Sequence, residues 1–491
     1  MIRALAPAIV LAGCATSSVV VEPIIDLPAN DSASAFPLDT LTLAVAHAGA
    51  DPADNIASQT FASGQVVELP GVPFGDDLVI HLTGRVGSSE VAYGRACTIS
   101  LSENAAPPSP HLFFSRSVKF ADLTLAVQPE PRVGGGAISD VDGAGLVIGG
   151  ADPSAPTDPS GAVADVERFD PRTGELRLLY SVEKRLGTVA ASLGTGGDAR
   201  IALIGGLDPA TGSGAAFVEL LEPDAPVTRR YERVDDAQMG RVELTATALT
   251  NGHVIVIGGS PPGGAPSPDV DDVSISNGIA TVRLLRAMLD HPRYAHSATR
   301  IGDDLGAAVL VAGGFDLTGM PVKTAELYKP LNESFSKTFT SSTMVVPRAH
   351  HQAVLMPDGS VLIIGGTTSD AAGTPGVGTL ELFSLDAGFV DAGELPTNAG
   401  LVDVNATPLP DGRVLLSGGR RTVGGPALDT AFIVSLDPVN GSVNVVATDH
   451  MSMPRAGHQA TLLCDGTVLV TGGTTSPSTA ERYNPPALGR R

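Results

Sequence analysis

Short apolar runs that end in two glycines recur along most of the chain. The seven runs are LVIGG, ALIGG, IVIGG, LVAGG, LIIGG, LLSGG and LVTGG, and successive glycine pairs lie 52 to 56 residues apart. A fixed period near fifty residues indicates stacked or circular repeat units. Runs such as VLII and VIVI are apolar on both faces, which predicts strands buried between neighbouring units.

Each copy carries signals for further strands around the Gly-Gly run. Asp-Gly or Asn-Gly joins two apolar runs at Asn251, Asp358, Asp411 and Asp465, which is the strongest local signal for a hairpin. Third strands follow the glycines, as VERFDP, AELYKP, LELFSL and AERYNP, and weaker fourth strands are centred on Leu176, Phe335, Phe389 and Val443. The second and third copies have poor third strands. Four antiparallel strands in each copy predict the blades of an all-β propeller.

The last copy stops after its third strand and needs a fourth strand from elsewhere. Phe120 lies 12 residues before Arg132, as Val443 lies 12 residues before Arg455. We therefore predict that Val118 to Ala121 completes the seventh blade, which joins the two ends of the propeller and removes open sheet edges.

The repeats resemble the kelch family through Arg-x-x-His, the Gly-Gly pair and Glu-x-aromatic-x-Pro. The resemblance covers Ser117 to Pro485 and implies a seven-bladed kelch-type β-propeller over residues 113–491. The chain departs from the family pattern because it has no Trp, which the family usually carries on the fourth strand.

The segment before the repeats has its own organisation. Five short runs with period-two alternation predict a compact, immunoglobulin-like β-sandwich over residues 37–104. A Pro-rich linker is predicted over 105–112, and a flexible tether over 14–36. We assign the sandwich the role of a spacer between the propeller and the membrane.

The first residues predict export. Arg3 followed by a short apolar stretch is typical of a signal peptide, here residues 1–13, and is too short to span a bilayer. Leu11-Ala12-Gly13-Cys14 resembles the lipobox of bacterial lipoproteins, which implies acylation of Cys14 and a lipid anchor. A non-lipidated secretory signal is the alternative. Ala15 after the cysteine favours the outer membrane or cell surface.

Two further cysteines, Cys97 and Cys464, lie in different predicted domains. They have no metal-site spacing, and we expect two free thiols rather than a disulfide.

The formal net charge of −22 argues against nucleic acid and against adsorption to anionic membrane as partners. No phosphate-binding glycine loop occurs outside the repeat, so the sequence predicts no cofactor.

Two columns of basic residues are the candidate binding site, at the mouth of the axial channel. They are Arg132, Arg185, Arg241, Arg293, Arg348 and Arg455, with His296, His351 and His458 three positions after an arginine. A ring of guanidinium groups binds carboxylates bidentately, which favours an acidic sugar as the ligand. The alternative, which we favour, is that they stabilise the fold by hydrogen bonding between blades, as the kelch resemblance implies.

Acidic residues form two other patterns. A third-strand glutamate recurs in most copies, and this repetition favours a structural role, with pairing to the arginines as one possibility. The clusters Asp140–Asp142 and Asp269–Asp272 lack the full ligand spacing of a calcium loop, so we interpret them as solvated loops and predict no metal site.

Some kelch propellers are enzymes, and two classes are relevant. Copper radical oxidases require a cysteine joined to a tyrosine, a second tyrosine and two histidines, and no such pair stands out here. Sialic-acid mutarotases use channel arginine, histidine and carboxylate groups, which this chain also has. We favour a non-enzymatic module for binding protein or glycan through the long loops Ala151 to Ala164 and Ser260 to Asp272, which should lie on one face. A carbohydrate-active enzyme and a structural envelope spacer are the alternatives.

Overall fold

The computed structural model is all-β and describes residues 18–28, 37–50, 54–62, 65–103, 106, 108–155, 158, 161–223, 231–336, 343–396, 400–474 and 479–485. The helical elements that lie wholly within those ranges are the 3-10 turns Gly196–Asp198, Ala237–Met239 and Pro330–Asn332. None of the described helices is long and apolar enough to cross a membrane.

Ten strands precede or border the repeats. They are β1 Ser18–Val21, β2 Ile24–Asp26, β3 Thr40–His47, β4 Ala57–Ala62, β5 Leu69–Pro73, β6 Gly75–Val86, β7 Ser89–Arg95, β8 Ile99–Leu101, β9 His111–Phe113 and β10 Ser115–Arg116. A six-stranded sheet has the order β10-β7-β6-β3-β4, with β8 paired to β6, and its inner face packs a cluster built on Leu43, Ile80 and Phe114. The predicted all-β character is confirmed here, while the immunoglobulin-like arrangement stays a prediction.

The repeats form seven four-stranded antiparallel sheets, which we number 1 to 7 in chain order. Sheet 1 comprises β12 Gly136–Ser139, β13 Gly145–Ile148, β14 Asp165–Asp170 and β15 Glu175–Ser181. Sheet 2 comprises β16 Val189–Leu193, β17 Arg200–Ile204, β18 Phe217–Leu221 and β19 Tyr231–Asp235. Sheet 3 comprises β20 Thr245–Ala248, β21 Val254–Ile257, β22 Asp269–Ser276 and β23 Ile279–Met288.

The remaining sheets follow the same plan. Sheet 4 comprises β24 Ser297–Ile301, β25 Ala308–Ala312, β26 Ala325–Lys329 and β27 Ser334–Ser336. Sheet 5 comprises β28 Gln352–Leu355, β29 Val361–Ile364, β30 Thr379–Ser384 and β31 Gly388–Glu394. Sheet 6 comprises β32 Asn405–Pro408, β33 Val414–Ser417, β34 Ala431–Leu436 and β35 Val443–Ala447. Sheet 7 comprises β36 Gln459–Leu462, β37 Val468–Thr471, β38 Ala480–Asn484 and β11 Lys119–Asp122.

The first strand of each sheet contacts the first strands of its two neighbours, and β36 of sheet 7 contacts β12 of sheet 1. The sheets therefore form a closed cycle around an axis, which is the arrangement of a β-propeller. The predicted closing strand is confirmed, because β11 pairs with β38 in the register Phe120 to Tyr483. The poor third strands predicted for the second and third copies are wrong: β18 is fully buried and β22 is eight residues long.

The glycine pairs couple each sheet to the next. All fourteen of these glycines have positive φ, from 58° at Gly149 to 107° at Gly473. The second glycine donates its amide to the carbonyl that begins the next copy, as Gly314 does to Arg348 at 2.9 Å and Gly366 to Leu401 at 2.9 Å. A Cβ on Gly258 would lie 2.7 Å from the Arg293 carbonyl oxygen. The repeat is therefore glycine because two backbones meet there.

The predicted tether and linker are wrong where the structure describes them. β1 pairs with β5, and β2 pairs in parallel with β9, so residues 18–26 and 111–113 belong to the N-terminal sheets. These strands could not be predicted from the sequence, because each is only three or four residues long. The proposed signal peptide and Cys14 lie outside the described residues.

The expectation of two free thiols is also wrong. Cys97 and Cys464 are joined by a disulfide with their Cα atoms 5.0 Å apart. Cys464 lies in the hairpin between β36 and β37, so the N-terminal domain docks on the hairpin side of the ring, opposite the Gly-Gly turns. Asn484 secures the same junction, because its amide donates to the carbonyls of Tyr93 at 2.7 Å and Ser115 at 3.1 Å.

Candidate functional site

The arginine column lies in the interior of the ring. Its six members are at most 3% exposed, and each pairs with an acidic side chain on the third strand of its own sheet. Arg348, for example, lies 2.6 Å from Glu381 and donates to the carbonyls of Gly365 and Thr379 at 3.2 and 2.8 Å. Glu381 in turn accepts the amides of Val345 and Val346, so the pair fixes the connector that enters the sheet. This geometry leaves these guanidinium groups no open surface for a ligand.

Burial acts on both members of these pairs. In sheet 1, burial lowers the pKa of Arg132, and burial raises the pKa of Glu167, while each charge opposes the shift of the other. In sheet 3 the acid is Asp271, whose pKa burial raises to about 6 although Arg241 opposes the shift. The pairs are therefore integral parts of the core, where removal of one partner leaves an uncompensated buried charge.

Sheet 6 lacks both members of the pair. Leu401 replaces the arginine, and Phe432 pairs with Leu416 where Glu381 pairs with Ile363 in sheet 5. Leu401 and Phe432 are buried in one hydrophobic cluster. The two replacements therefore occur together, and apolar packing substitutes for the ion pair.

The histidine column bridges neighbouring sheets. His351 Nε2 lies 2.8 Å from Ser297 Oγ of sheet 4, His458 Nε2 lies 2.8 Å from Ser417 Oγ of sheet 6, and His296 Nε2 lies 3.0 Å from Thr245 Oγ1 of sheet 3. Burial, reinforced by the adjacent arginine, lowers the pKa of His351 and of His458 to about 3. These histidines are therefore neutral at physiological pH and tie sheet to sheet.

The first acidic cluster is in part the solvated loop we expected, because Asp142 is exposed in a turn, whereas Asp140 is buried and the second cluster is a strand. Asp140 is 7% exposed and accepts from the amides of Asp142 and Ala144 and from Arg168. Asp269–Ser276 is β22, in which Asp271 is the partner of Arg241. Over the described residues, no group of three or more histidine, cysteine or acidic side chains is placed to hold a metal ion.

A different column lies at the channel mouth, two positions after each arginine. Every member has left-handed backbone, with φ between 52° and 70°. The members are Gly134, Gly187, Glu243, Ala295, His350, Asp403 and Gly457. Backbone hydrogen bonds link several of them around the axis, including Ala295 to Glu243 at 3.0 Å, His350 to Ala295 at 2.9 Å and Gly134 to Gly457 at 2.9 Å. We call this set the mouth ring.

The mouth ring has two unlike halves. Sheets 7, 1 and 2 contribute glycine, and a Cβ added at Gly134 or Gly187 would have no neighbour within 4 Å. Sheets 3 to 6 contribute residues with side chains, three of them ionisable. A non-glycine residue with positive φ costs about 1–2 kcal/mol, and such strain concentrates at functional sites. Two of the three glycines therefore border open space, whereas a Cβ on Gly457 would lie 2.8 Å from Val133 Cγ2, and the ionisable side chains belong to the other half.

His350 is the centre of the ionisable half. Its Nε2 lies 3.3 Å from Asp370 Oδ1, on the loop after the Gly-Gly of sheet 5. Burial opposes protonation of His350, but the hydrogen bond with Asp370 and the charges of Glu243 and Asp403 raise its pKa overall. Burial also raises the pKa of Glu243, against the influence of His350. The pKa values of both groups are thus raised by the surroundings that they share, and perturbed pKa values are typical of functional sites.

Aromatic and basic side chains border these groups. The rings of Tyr294 and Phe315 lie 5.6 Å apart, and the Phe315 ring meets His350 edge-on at 5.8 Å. Arg420 Nε lies 3.0 Å from Asp403 Oδ2, so the negative charge of Asp403 is compensated by an ion pair. We define the mouth site as Glu243, Tyr294, His350, Asp370 and Asp403. Sequence reasoning missed it; the signal was the variable position between the repeated arginine and histidine, in RVE, RYA, RAH and LVD.

Comparison with known proteins identifies the fold. No family model and no curated protein matches the chain. The structure is similar to that of a novel fungal alcohol oxidase with catalytic diversity among the AA5 family, in complex with copper. The two sequences are 17% identical, the match covers 75% of this chain and 76% of that chain, and the TM-score is 0.52. It also matches the structure of YjhT, with 14% identity, 65% of this chain and 99% of that chain covered, and a TM-score of 0.47. At this identity the first similarity establishes a β-propeller-like fold alone.

The copper chemistry named for the oxidase does not fit these residues. The radical oxidases described above need a cysteine bonded to a tyrosine, and Cys464 is the one cysteine within the repeats. Its sulfur is bonded to Cys97 on the opposite side of the ring from the mouth site. We therefore derive no step through copper.

Proposed function

We propose that the seven sheets are the blades of a kelch-type propeller that binds a neutral carbohydrate at the mouth site. The observation that carries the proposal is the half-ring of strained, ionisable residues facing the glycine half. Because strain at several neighbouring positions has a cost in stability, its retention favours a role for these side chains in function.

The chemistry of the mouth site suits a polyhydroxylated ligand. Carboxylates of Glu243 and Asp370 accept hydrogen bonds from hydroxyl groups, and charge-assisted bonds of this kind are strong. Tyr294 offers both a hydroxyl and a ring face beside them. A few converging polar groups with an apolar wall are typical of small-molecule sites.

Charge favours a neutral sugar over an acidic one. Four carboxylates, those of Glu243, Asp316, Asp370 and Asp403, lie around the site against two basic side chains, His350 and Arg420. Burial, and then the charges of Asp370, Glu243 and Asp316, raise the pKa of Tyr294. The net charge of −22 acts in the same direction. An anionic ligand would meet like charge, so the acidic-sugar hypothesis, which rested on the buried arginines, loses its support.

The first test is a neutral and acidic glycan array probed with the chain lacking residues 1–17, followed by calorimetry on each ligand that binds. Glu243→Gln keeps the size of the side chain and removes its charge, and we expect at least a tenfold loss of affinity. Glu394→Gln, on the exposed outer strand β31, is the matched control and should leave affinity unchanged. Binding to acidic glycans alone, or no effect of Glu243→Gln, would refute the proposal.

A second candidate is acid–base catalysis on the bound sugar. The observation that favours it is the raised pKa of both Glu243 and His350, which face each other's charge in one site. Exchange between the anomers of each bound sugar, followed by nuclear magnetic resonance, tests this activity. We expect His350→Gln to abolish any acceleration while retaining most of the binding affinity; acceleration that survives in this variant would exclude His350 as the acid or base.

We also propose that the protein is exported and anchored by lipid at Cys14. Support comes from the Cys97–Cys464 disulfide, because disulfides persist in oxidising compartments. Mass spectrometry of the N-terminal peptide should find an acylated Cys14, and Cys14→Ser should release the protein from the membrane fraction. An intact, unmodified N-terminus on membrane-associated protein would contradict this anchor.

A further inference from the structure

A groove on the Gly-Gly side is lined by chain segments that lead to the mouth site. It lies between the loops that follow the glycine pairs of sheets 3 and 4, and its volume is about 480 Å³. Its walls include Pro266, Pro292, Leu317 and Val322, and Asp316 lies at its edge. That volume falls within the range of ligand sites, about 300–1,000 Å³.

Two chain segments connect the groove to the mouth site. Pro292 lines the groove, and Tyr294 of the mouth site follows two residues later, which is about 7 Å of extended chain. On the other wall, Leu317 lines the groove, and Phe315, whose ring contacts Tyr294 and His350, lies two residues earlier. Tyr294 and Phe315, whose rings lie 5.6 Å apart, are therefore each two residues from a groove-lining side chain.

The groove wall is preformed. Asp316 Oδ1 accepts from the amide and hydroxyl of Thr318 at 2.8 and 2.7 Å and from the amide of Met320 at 3.0 Å, so one carboxylate fixes the turn. This turn holds Leu317 71% exposed beside the groove. Met320 of the same turn is 62% exposed, so this turn presents two large apolar side chains to solvent.

We infer that the groove binds the second and later sugar units of a neutral oligosaccharide whose first unit occupies the mouth site. This inference rests on the proposed carbohydrate function. Apolar walls of proline, leucine and valine suit the CH faces of sugar rings, and Lys323, which also lines the groove, offers a polar contact. Nearness along the chain to the mouth site favours an extended glycan over an unrelated partner.

The test compares sugars of increasing length within each of three neutral glycan series. Calorimetry would use glucose, galactose and mannose with their di-, tri- and tetrasaccharides, on the chain lacking residues 1–17. We expect affinity to rise at least tenfold from the monosaccharide to the trisaccharide. Leu317→Ser should remove most of that increment and leave monosaccharide affinity unchanged. The control is Leu331→Ser, because Leu331 is 74% exposed on the hairpin side of the same sheet.

The outcomes separate the two ideas. If no sugar of any length binds, the proposed function fails. If monosaccharide and trisaccharide bind equally, or if Leu317→Ser weakens both equally, the mouth site stands and the groove inference is overturned. A loss in Leu331→Ser equal to that in Leu317→Ser would also overturn it, because the effect would then not be local to the groove.

Discussion

The arginine column and the mouth ring are two positions apart in each copy, and they have opposite environments in this molecule. The arginine column recurs in six of seven copies and is buried in ion pairs. The mouth ring varies from glycine to glutamate, histidine and aspartate, and its ionisable members reach solvent. A residue that recurs in nearly every sheet serves what the sheets have in common, which is packing. Chemistry that occurs once in the ring has to come from positions where the copies differ.

The largest expected effect is the difference between the two columns in how much a substitution lowers the free energy of unfolding. Arg348→Leu leaves Glu381 charged and buried without its partner, and we expect a loss of about 3–5 kcal/mol in the free energy of unfolding. Glu243→Gln in the mouth ring should change it by less than about 0.5 kcal/mol, because Glu243 reaches solvent and belongs to no buried ion pair, although neighbouring atoms crowd it enough to raise its pKa. Chemical denaturation followed by circular dichroism measures both.

Sheet 6 shows how to sharpen this prediction. Since Leu401 and Phe432 replace the pair there, the double variant Arg348→Leu/Glu381→Phe should recover at least half of the loss caused by Arg348→Leu alone. If the double variant is less stable than the single one, the ion pair has a role that apolar packing cannot replace.

The next effect concerns pH and the histidine column. The folded-state pKa of His458 is about 3, below its ordinary value of 6.5, so the unfolded chain binds more protons as pH falls. The contribution of neutral His458 to the free energy of unfolding is complete above about pH 6.5 and is lost as the pH falls toward 3. Between pH 6.5 and 5 we expect a loss of about 2 kcal/mol from this residue.

His458→Gln isolates that contribution, because glutamine can still bond Ser417 but does not titrate. We expect the variant's stability to fall less steeply than the wild type's between pH 6.5 and 5. Equal slopes for the two proteins would mean that His458 titrates normally in the fold.

Most of the architecture could be predicted from the sequence, because each repeated pattern has a local physical cause. Gly-Gly marks the meeting of two backbones, Asp-Gly marks a hairpin, and Phe120 had the spacing of a fourth strand. The disulfide could not be predicted, because Cys97 and Cys464 approach only when the N-terminal domain docks on sheet 7. The mouth site was missed for a similar reason: left-handed backbone at Glu243 is imposed by the ring, since glutamate rarely adopts it.

The smallest effect tests whether the mouth ring is strained at all. Ala295 and Ala349 belong to one small apolar cluster, but only Ala295 has left-handed backbone, with φ of 53°. Either alanine changed to glycine loses a buried methyl group, whereas only Ala295→Gly gains relief from the left-handed conformation. We therefore expect Ala295→Gly to be more stable than Ala349→Gly by about 1 kcal/mol, measured by parallel denaturation. If the order is reversed, the left-handed conformation has no energetic cost, and the mouth ring loses the strain that distinguishes it from the arginine column.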